Sequence, residues 1–164
     1  MYTVQENSLL GQPIGDTSLT KKHALGTIVR AKDPIYGAGE FIYLAGVAST
    51  LVGSLVTYDE NLGTTALAPA TGAASGPVAV AMSANVAGQY GWYQIAGAAA
   101  VKAPNAMVPG ANVFMLAATP GSVDDTAVAG EQVLNAVVST TTGTPSAGLA
   151  IVQINRPFIQ GQIT

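Results

Sequence analysis

The chain has 164 residues, of which 49% are hydrophobic, 6% are aromatic and only 9% are charged. This length allows one domain with a substantial core and is too short for two ordinary domains. Six Lys/Arg residues against nine Asp/Glu residues give a net charge of −3, so the chain lacks the cationic surface that a nucleic-acid-binding protein needs. Because there is no cysteine, a disulfide framework, a zinc–thiolate site and a thiol nucleophile are all excluded.

The mean hydropathy of +0.38 does not come from a membrane-spanning segment. A spanning helix needs about 20 unbroken apolar residues. Residues 61–101 carry no charge, but Pro69, Pro77 and several glycines interrupt them. The first 25 residues contain Glu6 and Asp16 and have no apolar core of signal-peptide length. We therefore expect no membrane partner and no export by a cleaved signal.

The first 25 residues differ from the rest of the chain. They mix polar residues, Gly and Pro with isolated apolar residues and show no hydrophobic period. We predict an extended N-terminal arm over residues 1–25, which is either frayed or ordered by a neighbouring molecule. The sole histidine, His23, lies in this arm beside Lys21 and Lys22. A terminal segment is a poor place for a catalytic triad, so we interpret His23 as a surface or interface residue.

Residues 26–155 predict a single β-domain, and residues 156–164 a C-terminal tail. Short runs with a period of two, rich in Thr and Val, alternate with Gly- and Pro-containing turns, which is typical of a barrel or sandwich of short antiparallel strands. The predicted strands are Thr27–Lys32, Glu40–Ala45, Ser54–Tyr58, Thr64–Ala68, Pro77–Met82, Gly91–Ala96, Ala99–Ala103, Asn112–Ala117, Val133–Val138 and Leu149–Asn155. A single helical turn is predicted within Asp124–Gln132. The fold class is therefore all-β.

Two of these strands predict which side chains share a face. In residues 78–82, which alternate Val and Ala before Met82, the larger side chains lie on one face and the alanines on the other. The alanine face can pack tightly against another backbone or a partner. In the next strand, Trp92 and Gln94 point one way, while Tyr93 and Ile95 point the other.

Charge is distributed unevenly along the chain. Between Asn61 and Val123 the only charged residue is Lys102. A monomer normally keeps a charged exterior for solubility, so this stretch predicts a surface that is covered by another protein. The alternative is a β surface kept soluble by uncharged Thr, Ser, Asn and Gln side chains.

The acidic pairs do not predict a catalytic site. Asp59-Glu60 and Asp124-Asp125 are adjacent residues, and neighbours on a strand point to opposite faces, so adjacency alone does not build an acid–base dyad. Asp59-Glu60-Asn61 offers oxygen ligands, but the spacing and the glycine of an EF-hand are absent. We interpret both pairs as turn residues and expect no metal site.

Other short motifs also give no clear indication of a catalytic or cofactor site. Gly37-Ala-Gly39 precedes a strand and lacks the third glycine of a dinucleotide fingerprint, so it is interpreted as a turn. Trp92 with Tyr90 and Tyr93 could form a platform on which a sugar stacks, although such a group is more often core or a subunit interface. We expect no enzymatic activity, no catalytic residue and no cofactor.

Three segments of the chain resemble the capsid decoration, or cement, proteins of tailed bacteriophages. They are residues 24–46 (ALGTIVRAKDPIYGAGEFIYLAG), 88–97 (GQYGWYQIAG) and 147–158 (AGLAIVQINRPF). The resemblance covers most of the chain from Ala24 onward. It implies a β-rich fold without enzyme activity or cofactor, located on the outer surface of a virion capsid after synthesis in the host cytoplasm. It implies the major capsid protein and further copies of the chain as partners, in a homotrimer or, alternatively, a dimer.

The resulting hypothesis is a structural virion protein that stabilises contacts between major capsid protein subunits. The residues predicted to contact the capsid or another subunit are Leu9, Leu10, Ile14, Lys21, Lys22, Arg156 and Phe158, with Trp92 and Tyr93 in a core or subunit seam. One alternative is an adhesive, carbohydrate-binding module with Trp92 as its platform. A second is another structural head or tail component, and the least favoured is a glycan hydrolase using the acidic pairs.

Overall fold

The computed structural model describes residues 3–4, 11–69, 75–116 and 118–161, and this part of the chain is all-β without a helix. Its twelve strands pair antiparallel within one sheet. They are β1 Thr3–Val4, β2 Thr17–Ser18, β3 Ile28–Asp33, β4 Gly37–Ala45, β5 Leu55–Tyr58, β6 Thr65–Leu67, β7 Gly76–Ala81, β8 Tyr90–Lys102, β9 Asn112–Met115, β10 Val123–Asp124, β11 Gln132–Val138 and β12 Leu149–Ile159. The predicted all-β class is confirmed. Within these ranges no helix is long and apolar enough to cross a membrane.

Each predicted strand overlaps an observed one, and two of them, Gly91–Ala96 and Ala99–Ala103, are halves of the 13-residue β8. The two-residue strands β1, β2 and β10 were not predicted, because such short segments show no period. The predicted helical turn is wrong. Its first residue, Asp124, lies in β10, and the segment after it holds one tight turn closed by a bond from Glu131 N–H to the Val128 carbonyl.

Strand β8 organises the sheet because it changes partners along its length. Residues 90–96 pair with β4, whereas residues 96–102 pair with β12. Ala96 lies opposite Glu40 on one edge and opposite Asn155 on the other. Strand β7 pairs with β5, β8 and β12. These shared pairings bend the sheet into an arrangement consistent with a sandwich or a barrel-like domain.

A bulge in β8 marks the point where it exchanges partners. Glu40 lies opposite Ala96 but Phe41 lies opposite Gln94, so β8 contains one extra residue there. The side-chain amide of Gln94 donates to the carbonyls of Ala96 and Ala98, at 3.0 and 3.2 Å. Gly97 has a φ of 102°, and a Cβ atom at this position would lie 2.5 Å from the carbonyl oxygen of Ala38. Only glycine fits this bend without displacing the neighbouring backbone.

The core consists of three clusters on the faces of this bent sheet. Val78 and Val80 belong to the largest cluster, which β7 shares with β8, β9, β11 and β12. Ala79 and Ala81 belong to a second cluster with Tyr93 and Ile95. The alternation predicted for residues 78–82 is confirmed for residues 78–81, whereas Met82 follows β7 and packs against the third cluster. The alanine face packs inside this chain rather than against a partner.

The segment of residues 11–25 is not a free arm. Gln12 and Ile14 are each 3% exposed, and β2 pairs with the start of β8. Ile14 belongs to the third cluster, with Trp92 of β8. This differs from the predicted arm because side chains of the segment, including Ile14, Leu25 and His23, pack against the face formed by β4 and β8. The C-terminal tail predicted over residues 156–164 also differs from the structure. Residues 156–159 belong to β12, which ends at the fully buried Ile159.

Candidate interaction surface

Trp92 lies in the core, where it forms an aromatic cluster with Tyr43 and His23. The ring centroids are 4.9 Å apart for Tyr43–Trp92 and 5.2 Å apart for His23–Trp92. The indole N–H donates to the main-chain oxygen of Gln12 at 3.0 Å, and Trp92 is 0% exposed. A sugar stacks only on an exposed ring face, so the alternative of a carbohydrate platform at Trp92 is wrong, and the favoured interpretation of Trp92 as a core residue is confirmed.

Tyr93 is equally buried, on the opposite face of β8. Its hydroxyl accepts a hydrogen bond from the Asn85 side-chain amide at 3.0 Å. Burial raises the pKa of Tyr93 to about 12, although the hydrogen bonds of its hydroxyl act to lower this pKa. Within one protomer, Trp92 and Tyr93 are therefore core residues, and neither reaches a surface where a subunit seam could form.

The predicted contacts of the N-terminal segment separate into three groups. Leu9 and Leu10 lie outside the described residues. Ile14 is buried in the aromatic cluster, so its side chain is not available to a partner. Lys21 and Lys22 are exposed, while the backbone N–H of Lys22 donates to the Tyr43 hydroxyl at 3.2 Å. The two lysines remain surface residues anchored close to the core.

Arg156 and Phe158, near the end of β12, are both exposed. Arg156 donates from Nη2 to Oε2 of Glu40 at 2.9 Å, and Glu40 also accepts from Nε of Arg30 at 3.0 Å on its other oxygen. Arg30 and Glu40 are directly opposite each other on β3 and β4. The two arginines come from strands far apart in sequence and meet at one carboxylate.

These three side chains border a groove, called here the Arg–Glu–Arg groove, with a volume of about 340 Å³. Its lining residues are Arg30, Ala38, Gly39, Glu40, Ala96, Gly97, Asn155 and Arg156. The Gln94 side chain lies next to two of these lining residues, Gly39 and Gly97. A Cβ atom added at either glycine would lie 3.1 or 3.2 Å from the Gln94 side-chain nitrogen. Ala96 and Gly97, which line the groove, directly follow the β8 bulge.

Near the end of β12, Phe158, Pro77 and Tyr58 lie on the adjacent strands β12, β7 and β5 and are called here the apolar patch. Phe158 is 42% exposed and lies opposite Pro77 on β7 and Leu134 on β11. Tyr58 is half-buried on the neighbouring β5. Burial and the negative charge of Glu60 raise the pKa of Tyr58, while Arg156 acts in the opposite direction. Arg156 is thus electrostatically coupled to both the groove and this patch.

The acidic pairs are engaged in local structure. Asp59 Oδ1 accepts backbone N–H bonds from Asn61 and Leu62, which confirms the predicted turn role of this pair. No metal-binding group of three His, Cys, Asp or Glu side chains occurs in the described ranges.

Asp124 is the buried last residue of β10, and its Oδ1 accepts backbone N–H bonds from Asp125 and Thr126, which confirms the local backbone bonding predicted for this pair. Asn105 Nδ2 donates to its Oδ2 at 2.7 Å. Burial alone would raise the pKa of Asp124, but the bonds from Asn105 and from the backbone of Asp125 and Thr126 outweigh it and lower the pKa. A carboxylate held in this way fixes the loop after β10.

Sequence reasoning identified Arg156 but missed its partners. Arg156 and Glu40 are 116 positions apart, and the bulge that brings them together depends on the pairing of β8 with two different strands. The interpretation of Gly37-Ala-Gly39 as a turn is wrong, because the turn is formed by residues 34–36 and these three residues are the first of β4. Gly39 lines the groove.

No protein-family model, no curated protein and no solved structure matches the chain. Hypotheses about its function therefore rest on the sequence resemblance and on the surface at the end of β12.

Proposed function

We propose that the protein is a structural component of a phage virion that binds the outer surface of the capsid and stabilises contacts between major capsid protein subunits. The observation that carries this proposal is the surface at the end of β12, where an exposed aromatic side chain, Phe158, lies next to the exposed Arg156. Aromatic and arginine side chains are enriched where proteins bind one another. Residues 147–158, which include both, are one of the three segments that resemble decoration proteins.

The low charge of the exterior supports the same proposal. Large apolar side chains are exposed within the nearly uncharged stretch from Asn61 to Val123, including Leu62 at 67% and Val108 at 63%. Covering such side chains removes apolar area from water without desolvating ions. A repeating shell offers many identical sites, so a modest affinity at each is strengthened when subunits bind as an oligomer. We expect a homotrimer, with a dimer as the alternative.

The proposal is tested with purified protein and virion shells that lack it. We expect the protein to co-sediment with shells, to appear as many copies over the outer surface in electron micrographs, and to raise the temperature at which shells disassemble. Phe158→Ser should reduce occupancy at least tenfold. Ile35→Ser, at an exposed apolar residue in the turn between β3 and β4, is the matched control for lost surface hydrophobicity and should reduce occupancy less.

Two outcomes would overturn the proposal. One is a protein that stays a monomer at high concentration and leaves shells unoccupied. The other is a few copies confined to a single vertex or to the tail, which would make the protein a connector or tail component instead. The carbohydrate-binding alternative requires an exposed ring at Trp92, and this side chain is buried.

A further inference from the structure

We propose that the Arg–Glu–Arg groove receives the carboxylate side chain of an acidic segment on a partner protein. Identifying that partner as the capsid shell rests on the proposed function, whereas the chemistry of the groove does not. The groove has three features that suit a carboxylate: free arginine donors, a local positive charge and a floor without long side chains.

The two arginines have unused hydrogen-bond donors. A guanidinium group carries five N–H donors. Arg30 bonds Glu40 through Nε and Arg156 bonds it through Nη2. Within the described part of the chain, neither guanidinium makes another side-chain hydrogen bond to the protein. Their side chains are 65% and 55% exposed, so the remaining N–H groups are accessible from the groove. Planar forks of this kind bind a carboxylate with two parallel bonds.

The charge of the groove matches a single negative charge. Glu40 neutralises one of the two arginines, which leaves a local charge of +1 in a chain whose net charge is −3. An incoming carboxylate would complete an alternating set of two cations and two anions. A carboxylate would bring the local charge to zero, whereas a doubly charged phosphate would leave the cluster with an excess charge of −1 beside Glu40. The charge of the groove is therefore matched by one aspartate or glutamate side chain.

The floor of the groove is kept free of side chains by the fold. Ala38, Gly39, Ala96 and Gly97 line it, and none of them extends beyond Cβ. At Gly39 a Cβ atom would lie 3.1 Å from the Ala96 carbonyl oxygen, and at Gly97 it would lie 2.5 Å from that of Ala38. The volume of about 340 Å³ lies at the small end of the range for ligand pockets. It suits one side chain and its adjoining backbone, and the Asn155 amide at the rim can bond to that backbone.

The test is a titration of the full chain, labelled with ¹⁵N, with the peptide acetyl-Gly-Glu-Gly-amide. We expect saturable shifts of the Nε–Hε signals of Arg30 and Arg156 and of the Gly97 amide. The matched peptide acetyl-Gly-Gln-Gly-amide should produce shifts at least tenfold weaker. Adding salt should weaken the binding of the glutamate peptide, because the contact is between exposed charges.

Variants assign the binding to the groove. Arg156→Gln and Arg30→Gln should each weaken binding of the glutamate peptide at least tenfold. Lys102→Gln removes the same charge from a partly exposed position at the far end of β8 and should leave binding unchanged. The other signals in each spectrum show that the variants are folded. Equal responses to the two peptides, or undiminished binding by Arg156→Gln, would overturn the inference. Saturation by inorganic phosphate without a response to the peptide would overturn it as well.

A separate measurement distinguishes this inference from the proposed function. Shell occupancy is compared for the wild-type protein and Arg156→Gln. If wild-type protein occupies shells but the glutamate peptide does not bind, the groove inference fails and the proposed function stands. If the peptide binds in the groove but shells remain unoccupied, the proposed function fails and the carboxylate site stands.

Discussion

Trp92 donates its indole N–H to the main-chain oxygen of Gln12 at 3.0 Å, although 80 positions separate the two residues. The Gln12 side chain adds to this contact, since its Oε1 accepts from the Tyr43 hydroxyl at 2.7 Å and its Nε2 donates to the Tyr90 carbonyl at 2.9 Å. One glutamine thus connects the N-terminal segment to both β4 and β8. The segment is fixed to the domain by buried polar bonds as well as by apolar contact.

Trp92→Phe should lower the free energy of unfolding by roughly 1–3 kcal/mol, because it leaves the buried Gln12 oxygen without its donor. Urea denaturation followed by circular dichroism measures this change. Hydrogen exchange of the residue 12–18 amides should become faster than exchange in β11, which is remote from the bond. A loss below about 0.5 kcal/mol with unchanged exchange would show that the bond contributes nothing to anchoring the segment.

Ile14→Ala should cost about 2–5 kcal/mol, since it opens a cavity beside Trp92 and Phe41. Ile35→Ala is the matched control, because Ile35 is 80% exposed and its truncation should change stability by no more than about 0.5 kcal/mol. Both values come from chemical denaturation. The fluorescence of Trp92, the only tryptophan, should shift to longer wavelength in Ile14→Ala alone. Equal effects of the two substitutions would contradict the placement of Ile14 in the core.

Alkaline pH should destabilise the protein through its buried tyrosines. Burial raises the pKa of Tyr93 from 10.0 to about 12, so the folded state holds this proton more tightly than the unfolded state. The resulting stability is fully present below pH 10 and is lost as the pH rises toward 12. Two pH units correspond to roughly 2–3 kcal/mol. Burial also raises the pKa of Tyr43 and Tyr58, which act in the same direction.

Tyr93→Phe tests this pH dependence. The substitution removes the titrating hydroxyl and also the bond from Asn85, so it lowers stability at neutral pH. The informative quantity is the slope of unfolding free energy against pH between 9 and 12, which should be shallower than in the wild type. Equal slopes for Tyr93→Phe and the wild type would show that Tyr93 does not contribute to the loss of stability at alkaline pH.

Gly97→Ala should destabilise the protein more than Gly110→Ala. Both glycines have a positive φ, of 102° and 88°, so both substitutions add roughly 1–2 kcal/mol of backbone strain. Only at Gly97 does the new Cβ atom also collide with a backbone oxygen, whereas nothing lies within 4 Å at Gly110. Thermal unfolding measures the difference. A larger loss for Gly110→Ala would show that close packing at the bulge is not what requires glycine.

Local pattern was sufficient to predict the strands and their faces. The alternation in residues 78–82 placed Val78 and Ala79 on opposite faces correctly, because side-chain direction in a strand follows the pleat. The same pattern separated Trp92 from Tyr93. It could not reveal that both faces of β8 are buried, because burial depends on which strands cover them. Trp92 was therefore open to interpretation as a sugar platform until its covering segment was located.

The N-terminal segment and the groove show the limit of sequence reasoning most clearly. Gln12 and Ile14 carry no periodic signal, and their burial depends on a face formed by residues about 30 and 80 positions later in the chain. Arg30, Glu40 and Arg156 are unremarkable charges in sequence and become one cluster only through pairing and the β8 bulge.

Composition and alternation by themselves determined that this chain forms an all-β domain with few charges, because side-chain spacing and turn residues act locally along the backbone. The tertiary structure decided which residues are buried and which charges meet. Those outcomes depend on strand pairing between distant segments, as in β8, which pairs with β4 up to its bulge and with β12 from Ala96 onward.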